Sequence, residues 1–372
     1  MITVRGAFQT KFGELWEQSL EDLIVEAGEG AIKDAGLPKN KIDLVIVANM
    51  LAEQNHLGAL AVQLLGLDQV PALRVEAACA SGGVAVSQAV TALKAGAAEN
   101  VLVIGAEKMT DKSNGQIALA LMGAASEVER QAGLTFVGLY GLMARAYFDR
   151  FKITKNDLAY VAIKNHRHAS RNPKAQYPFP VEMETVLKSS CVASPLHLFD
   201  CAPITDGAAA VVVSNQFGEV ELVSSQIATD SVSLTERESL TELKATKIAG
   251  KKAYAQAEVG PVDIDLAEVH DCFSIAEIMA VEDLGFCQKG EGAETIKNGD
   301  FDHNGRLPVN LSGGLKACGH PVGATGVKQI AEIVDQLRGR AGARQVKNIR
   351  IGLTHNVGGS GGTAVVNILR KL

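Results

Sequence analysis

Apolar positions recur at helical spacing over residues 20–36, where Leu23, Ile24, Ala27, Ala31 and Ile32 fall at i, i+1, i+4, i+8 and i+9 before Gly36 and Pro38. The short run Ile42-Asp43-Leu44-Val45-Ile46-Val47-Ala48 follows and predicts a buried strand. Residues 248–260 and then Ile264–Val269 repeat this helix-then-strand pattern without a gap. Ala27-Gly28 aligns with Ala249-Gly250, Ile42-Asp43-Leu44 with Ile264-Asp265-Leu266, and Val47 with Val269. A constant offset across helix, turn and strand marks a duplicated fold. The next elements correspond less tightly. Ala78-Cys79-Ala80-Ser81-Gly82-Gly83 opens a helical stretch, Val84 to Lys94, followed by the strand Val101–Ile104. In the other half Gly319 to Gly326 opens a helix, Val327 to Leu337, followed by Ile349–Leu353. Each half reads helix, strand, turn, helix, strand, which predicts α/β architecture with right-handed crossovers in a mostly parallel sheet.

Residues 112–196 have no counterpart in the other half. They contain helical stretches from Gly138 to Phe151 and around Leu158 to Asn165, then a loop broken by Pro173, Pro178 and Pro180. An insertion of this length reads as a lid over a ligand or as a packing element. Asp206 to Val213 then reads as a strand returning to the first sheet. This gives one half from 1–111 and 197–217, a loop domain from 112–196, and a second half from 218–372.

Composition narrows the class. The chain has 372 residues, 47% hydrophobic and 21% charged, so large cores are within reach and global disorder is excluded. Aromatic residues make up only 5% beside 37 glycines, as in tightly packed α/β chains. With 36 basic against 42 acidic residues, the net charge is −6, and no basic run points to nucleic acid. Six irregularly spaced cysteines without a CxxC pair suggest reduced thiols rather than disulfides or structural zinc. No apolar run reaches membrane-spanning length, and no secretory segment is seen, so a cytoplasmic protein away from membranes is expected.

Four segments carry candidate chemistry. Cys79 sits at a strand-to-helix junction, where helix N–H groups would lower its pKa; the alternative is a small buried filler. His320, in Gly319-His320-Pro321, occupies the equivalent junction of the other half, where a base could serve the thiol. His270-Asp271-Cys272-Phe273 follows a strand end, and residues at i and i+2 there could face one pocket. His355-Asn356-Val357-Gly358-Gly359-Ser360-Gly361-Gly362 offers backbone N–H groups for an oxyanion. Its Gly358-x-Ser360-x-Gly362 matches a hydrolase elbow formally, but no histidine follows Ser360, and the chain continues as a strand. His166-Arg167-His168 reads as a solvated basic loop; with Arg171 and Lys174, His166 is a weak candidate for a phosphate-bearing ligand.

These segments, in this order and together with Gly313-Gly314-Leu315, resemble the thiolase superfamily over essentially the whole chain. The resemblance implies two βαβαβαββ halves in a five-layered α-β-α-β-α sandwich, with an inserted loop domain covering the site. His270-Asp271-Cys272-Phe273 and His355-Asn356 stand where common thiolases carry Asn-Glu-Ala-Phe and a C-terminal Cys-x-Gly. That is similar to the sterol-carrier-protein type and to archaeal acetoacetyl-CoA thiolases. It implies Cys79 as acyl-carrying nucleophile, His320 as its base, Cys272 as the acid/base thiol, His270 beside the enolate, and an oxyanion site around Cys79 N, Gly358 and Gly359. It further implies acetyl-CoA and 3-oxoacyl-CoA as substrates, no cofactor and no metal. A homodimer or dimer of dimers is implied, with a complex with 3-hydroxy-3-methylglutaryl-CoA synthase and a zinc-binding bridging protein. Two other readings stay open: a ketoacyl-synthase-like condensing enzyme, and a non-catalytic scaffold or lipid-binding protein of the same fold.

Overall fold

A computed structural model describes all residues from Met1 to Leu372. The first half comprises β1 (Thr3–Gln9), α1 (Leu20–Ala35), β2 (Leu44–Ala48), α2 (Leu57–Leu65), β3 (Ala72–Val75), α3 (Ser81–Lys94) and β4 (Asn100–Glu107). The insertion carries α4 (Asn114–Leu121), α5 (Phe136–Phe151) and α6 (Lys155–Ala169), plus short turns of helix and a small hairpin. β5 (Gly207–Ser214) then returns to the first half. The second half runs β6 (Val220–Thr229), α7 (Lys244–Ala257), β7 (Leu266–Glu268), α8 (Ser274–Asp283), α9 (Gly314–Cys318), α10 (Thr325–Leu337), β8 (Ile351–Gly358) and β9 (Thr363–Lys371).

The duplication is visible element by element. α1 and α7 occupy matching places, and each is followed by a 3₁₀ turn (Lys39–Lys41 and Pro261–Asp263) and a short strand, β2 or β7. β3 has its counterpart in Val309, which bridges Ala267 in parallel. The strands follow the order β3-β2-β4-β5-β1-β6-β9-β8-β7, the two halves meeting where Thr3 of β1 pairs with Glu221 of β6.

The expected mostly parallel sheet is corrected here. Only the β3/β2, β2/β4 and β8/β7 pairs are parallel. The five central pairings are antiparallel, because β5 comes back from the insertion and because β8 and β9 are joined by a tight Gly-rich turn. A hairpin admits no other arrangement.

Three main cores hold the layers together, the middle one spanning both faces of the central helices. α1 and α2 pack Leu23, Ile24, Ala27, Leu57 and Leu65 on one face of the first sheet. α3 and α10 lie between the two sheets, burying Ala85, Val86, Ala89, Val327, Ile330 and Val334 against strands of both halves. α7 and α8 cover the far face of the second sheet, where the insertion also docks through Leu139, Tyr140, Met143 and Tyr147. α10 is buried on nearly every side, so its polar residues need partners. Lys328 Nζ meets Glu268 at 2.9 Å, and Glu332 takes Arg344 at 2.8 Å.

The two middle-layer helices begin against each other because the second residue of each, Gly82 and Gly326, lacks a side chain. A Cβ on Gly326 would lie 2.3 Å from both Asn356 Oδ1 and Gly83 N, and one on Gly82 2.8 Å from Val327 N. This close approach brings the turn before α3 and the turn before α10 to one place. Gly326→Ala forces the helices apart. We expect it to cost about 1–3 kcal/mol, read as a fall of several degrees in Tm; an unchanged Tm would show that the approach is not tight.

Candidate active site

The turn before α3 is bent by Ala78, a non-glycine residue in the left-handed region at φ 52°. Such a residue costs on the order of 1 kcal/mol and persists only where its surroundings fix it. Here Ala77 N donates to Ser81 Oγ (2.9 Å), Ser81 Oγ donates to Ala78 O (2.6 Å), and Ala78 N donates to Glu76 (2.6 Å). The bend presents Cys79 just ahead of the helix, as expected, though α3 begins at Ser81, earlier than the apolar pattern marks.

Opposite stands His320. Its Nδ1 lies 2.7 Å from Thr325 Oγ1, while that hydroxyl donates its only proton to Pro321 O at 3.1 Å. Nδ1 therefore carries the ring proton, and Nε2 is left as a lone-pair acceptor. His270 has the reverse tautomer. Asn356 Oδ1 accepts from Gly83 N (3.1 Å), so its amide nitrogen donates to Cys79 O (2.9 Å) and to His270 Nδ1 (3.3 Å). His270 Nε2 then bears the proton, and this buried donor has no partner in the protein. The two rings meet edge to face with centroids 5.1 Å apart, and the Cys79 sulfur and one nitrogen of each ring lie within 4.8 Å of one another. One sulfur and two imidazoles are also a zinc donor set in kind.

Cys272 joins them on the wall of an apolar cavity that Cys79, His320, Tyr140, Phe136 and Gly359 also line. His270 and Cys272 turn toward this region, as i and i+2 placement predicted. Asp271 turns away and accepts from Leu315 N and Asn165 Nδ2, both at 2.7 Å. Tyr140 stands in Phe136–Gly141, a segment that resembles archaeal thiolases in sequence, but carried no expected role at the site. Its hydroxyl donates to Gly359 O (3.1 Å), and its ring packs 4.5 Å from Phe273. Phe136, Val137 and Tyr140 share one face of α5 at helical spacing, which was the available sign.

Electrostatics overturn one expectation. The helix-dipole argument has Cys79 acidified, yet burial pushes its thiol up to about 12, against the Gly359 N–H that favours the thiolate, and the charge of Glu107 adds to the rise. Burial likewise raises Cys272 well above the ordinary thiol range, with the Cys79 charge adding to it. Both thiols rest protonated. Burial lowers His320 to about 3 and holds His270 far below its ordinary value, so both rings rest neutral.

His355 and Asn356 belong to β8 rather than to the Gly-rich turn, and lie on opposite faces of it. Asn356 faces Cys79, whereas His355 is fully buried behind, its Nε2 2.8 Å from Thr246 Oγ1 and its Nδ1 accepting from His270 N at 3.5 Å. Both nitrogens being engaged, His355 offers nothing to an oxyanion. Gly359, at φ 62°, makes the turn and directs its N–H to Cys79; Gly358 lies beside it in a separate groove. His166-Arg167-His168 is the last turn of α6, not a solvated loop. His166 and His168 are buried, Arg171 lines an outer groove with Asp302, and Lys174 Nζ sits 5.0 Å from the Phe8 ring. The structure thus gathers Cys79, His320, Cys272, His270, Asn356 and Gly359, and leaves Arg171 and Lys174 apart.

The neutral buried histidines give the fold an acid limit. His320 and His355 fall to about 3 and His166 to about 4, all chiefly through burial. As pH drops below about 6.5, the unfolded chain takes up these protons first. Stability is complete above that value and is lost progressively toward the folded-state values, by up to about 1.4 kcal/mol per pH unit for each such ring. Tm should fall steeply between pH 6 and 4; a flat profile there contradicts the neutral assignment.

Two family descriptions match this chain: Thiolase, N-terminal domain, over residues 2–216, and Thiolase C-terminal domain-like, over residues 227–371. An acetyl-CoA acetyltransferase of Methanothermobacter thermautotrophicus is 47% identical over 100% of this chain and 99% of its own. Human sterol carrier protein 2 is 32% identical, covering 99% of this chain and 72% of its own. Among solved structures, the Ltp2-ChsH2(DUF35) aldolase superposes with a TM-score of 0.85 at 25% identity, covering 100% of this chain and 97% of that one.

Proposed function

This chain belongs to the thiolase family, and on that premise we propose that it transfers acyl groups between coenzyme A thioesters, joining two acetyl-CoA into acetoacetyl-CoA or cleaving 3-oxoacyl-CoA with coenzyme A. One observation carries the reading: a thiol of the first half and an imidazole and a thiol of the second converge on a single apolar cavity. In the first half-reaction Cys79 Sγ attacks the thioester carbonyl while His320 Nε2 takes its proton. The C–S bond of the substrate breaks, and the departing coenzyme A sulfur collects that proton. The oxyanion on the way is held by the N–H groups of Gly359 and Cys79, a donor of this kind contributing about 3–4 kcal/mol. In the second, Cys272 as thiolate removes a proton from the α-carbon of another acyl-CoA. The raised pKa of this thiol makes its thiolate scarce but strongly basic. His270 Nε2–H donates to the enolate oxygen, the carbanion attacks the acyl carbon, and Cys79 leaves as a thiolate that regains, through His320, the proton Cys272 has taken.

Two thiols and two imidazoles supply every proton transfer, so the reading calls for no cofactor beyond the thioester. No helix is long and apolar enough to cross a membrane; the reading places the enzyme in the cytosol, as a homodimer or dimer of dimers in lipid metabolism. Within it, the resemblance to archaeal enzymes adds a complex with 3-hydroxy-3-methylglutaryl-CoA synthase and a zinc-binding bridging protein, passing acetoacetyl-CoA toward mevalonate. A ketoacyl-synthase-like reaction is disfavoured by Cys272, and a scaffold by the intact Cys79–His320 pair. Purified protein given acetoacetyl-CoA and coenzyme A should consume both and form two acetyl-CoA with ping-pong kinetics; absence of thiolysis across 3-oxoacyl-CoA chain lengths rejects the reading.

A further inference from the structure

Four lysines are buried: Lys108, Lys164, Lys316 and Lys328. Three have a carboxylate. Lys108 meets Asp206 at 2.8 Å, Lys164 meets Glu277 at 2.9 Å, and Lys328 meets Glu268 at 2.9 Å. Lys316, 2% exposed, has no carboxylate oxygen within 4 Å; the protein gives its ammonium one acceptor, the carbonyl of Asp200. Asp271, whose charge acts with that of Lys316, keeps its oxygens on Leu315 N, Lys316 N and Asn165. An ammonium has three donors, and a buried charge is costly unless it is paired. Lys316 is not sealed in the core. It lines a second cavity, whose other walls include His166, Tyr177, Phe179 and Phe199. The Cys201-Ala202-Pro203 segment lines both this cavity and the reaction cavity.

We propose that this second cavity is a carboxylate subsite, in which Lys316 takes the distal carboxylate of a dicarboxylic acyl group carried past Ala202–Pro203 from Cys79. The aromatic walls accept the methylene chain and exclude water, and the ammonium supplies the charge that a neutral chain leaves unanswered. The inference rests on the thiolase reading and deepens it by naming a substrate class.

The test compares thiolysis of 3-oxoadipyl-CoA with 3-oxohexanoyl-CoA, and of 3-oxosuberyl-CoA with 3-oxooctanoyl-CoA. At one or both lengths, the diacid should have a KM lower by about tenfold or more. Lys316→Met should abolish that preference while kcat/KM for the neutral member changes little, and Lys316→Arg should retain part of it. Free adipate should bind the wild-type protein by calorimetry and not the methionine variant. Equal kcat/KM within both pairs, with no adipate binding, overturns the subsite while leaving the thiolase reading intact. No turnover of any substrate counts against that reading instead, and adipate binding then decides the subsite alone. Should Lys316→Met fail to fold, the wild-type substrate pairs and the adipate titration decide the question by themselves.

Discussion

Cys79→Ala should yield a folded protein that takes up no acyl group and turns over no substrate. Wild-type protein incubated with acetyl-CoA gains about 42 Da on the peptide containing Cys79, the mass of an acetyl group in the covalent scheme. The variant should show no adduct and lose about 10⁴-fold or more in kcat, because the remaining groups bind and polarise but cannot accept the acyl group. Its stability should change little, since Cys79 is only partly buried beside a cavity. Because the resting thiol is protonated, acylation should be slow toward general electrophiles and fast toward thioesters that bring the carbonyl between Cys79 and the Gly359 N–H. An adduct on another cysteine, or acylation that survives the substitution, removes Cys79 from its role.

Cys272→Ala should separate the two half-reactions. The acyl-enzyme still forms, because Cys79, His320 and the Gly359 N–H are untouched. Carbon–carbon bond formation should fall by about 10²–10⁴-fold, the usual range for a positioned general base. Exchange of label between acetyl-CoA and free coenzyme A, which needs only the first half-reaction, should persist near the wild-type rate. Condensation at that rate in the variant would pass the base role to another group, with His270 and His320 the nearest.

Much of this was legible in the chain. The duplication could be read because α1, the turn after it and β2 recur with identical spacing in α7 and β7, and because both sets are apolar at the same places. The site's thiols and imidazoles could be read because each stands at a junction: Cys79 and His320 between small residues ahead of a helix, His270 and Cys272 just past a strand end. β1 escaped because Thr3, Arg5 and Gly6 break its apolar run, although it lies near the middle of the strand order. α8 escaped because it is buried on all sides and shows no amphipathic stripe. The placement of His355 failed at an element boundary: nothing in the letters says that β8 continues to Gly358. The protonation of Cys79 failed for another reason. A helix terminus is local and visible in sequence, whereas the burial that outweighs it comes from an insertion and a second half far away along the chain.

The meeting of α3 and α10 at their glycine-bearing first turns has a consequence for how such a catalyst can change. Cys79 and His320 occupy equivalent corners of two copies of one scaffold, and each corner has kept a different group. Neither copy is spare. A substitution that rebuilds one corner cannot be rescued by its twin, and the seam between the copies, rather than either core, is where drift is least tolerated.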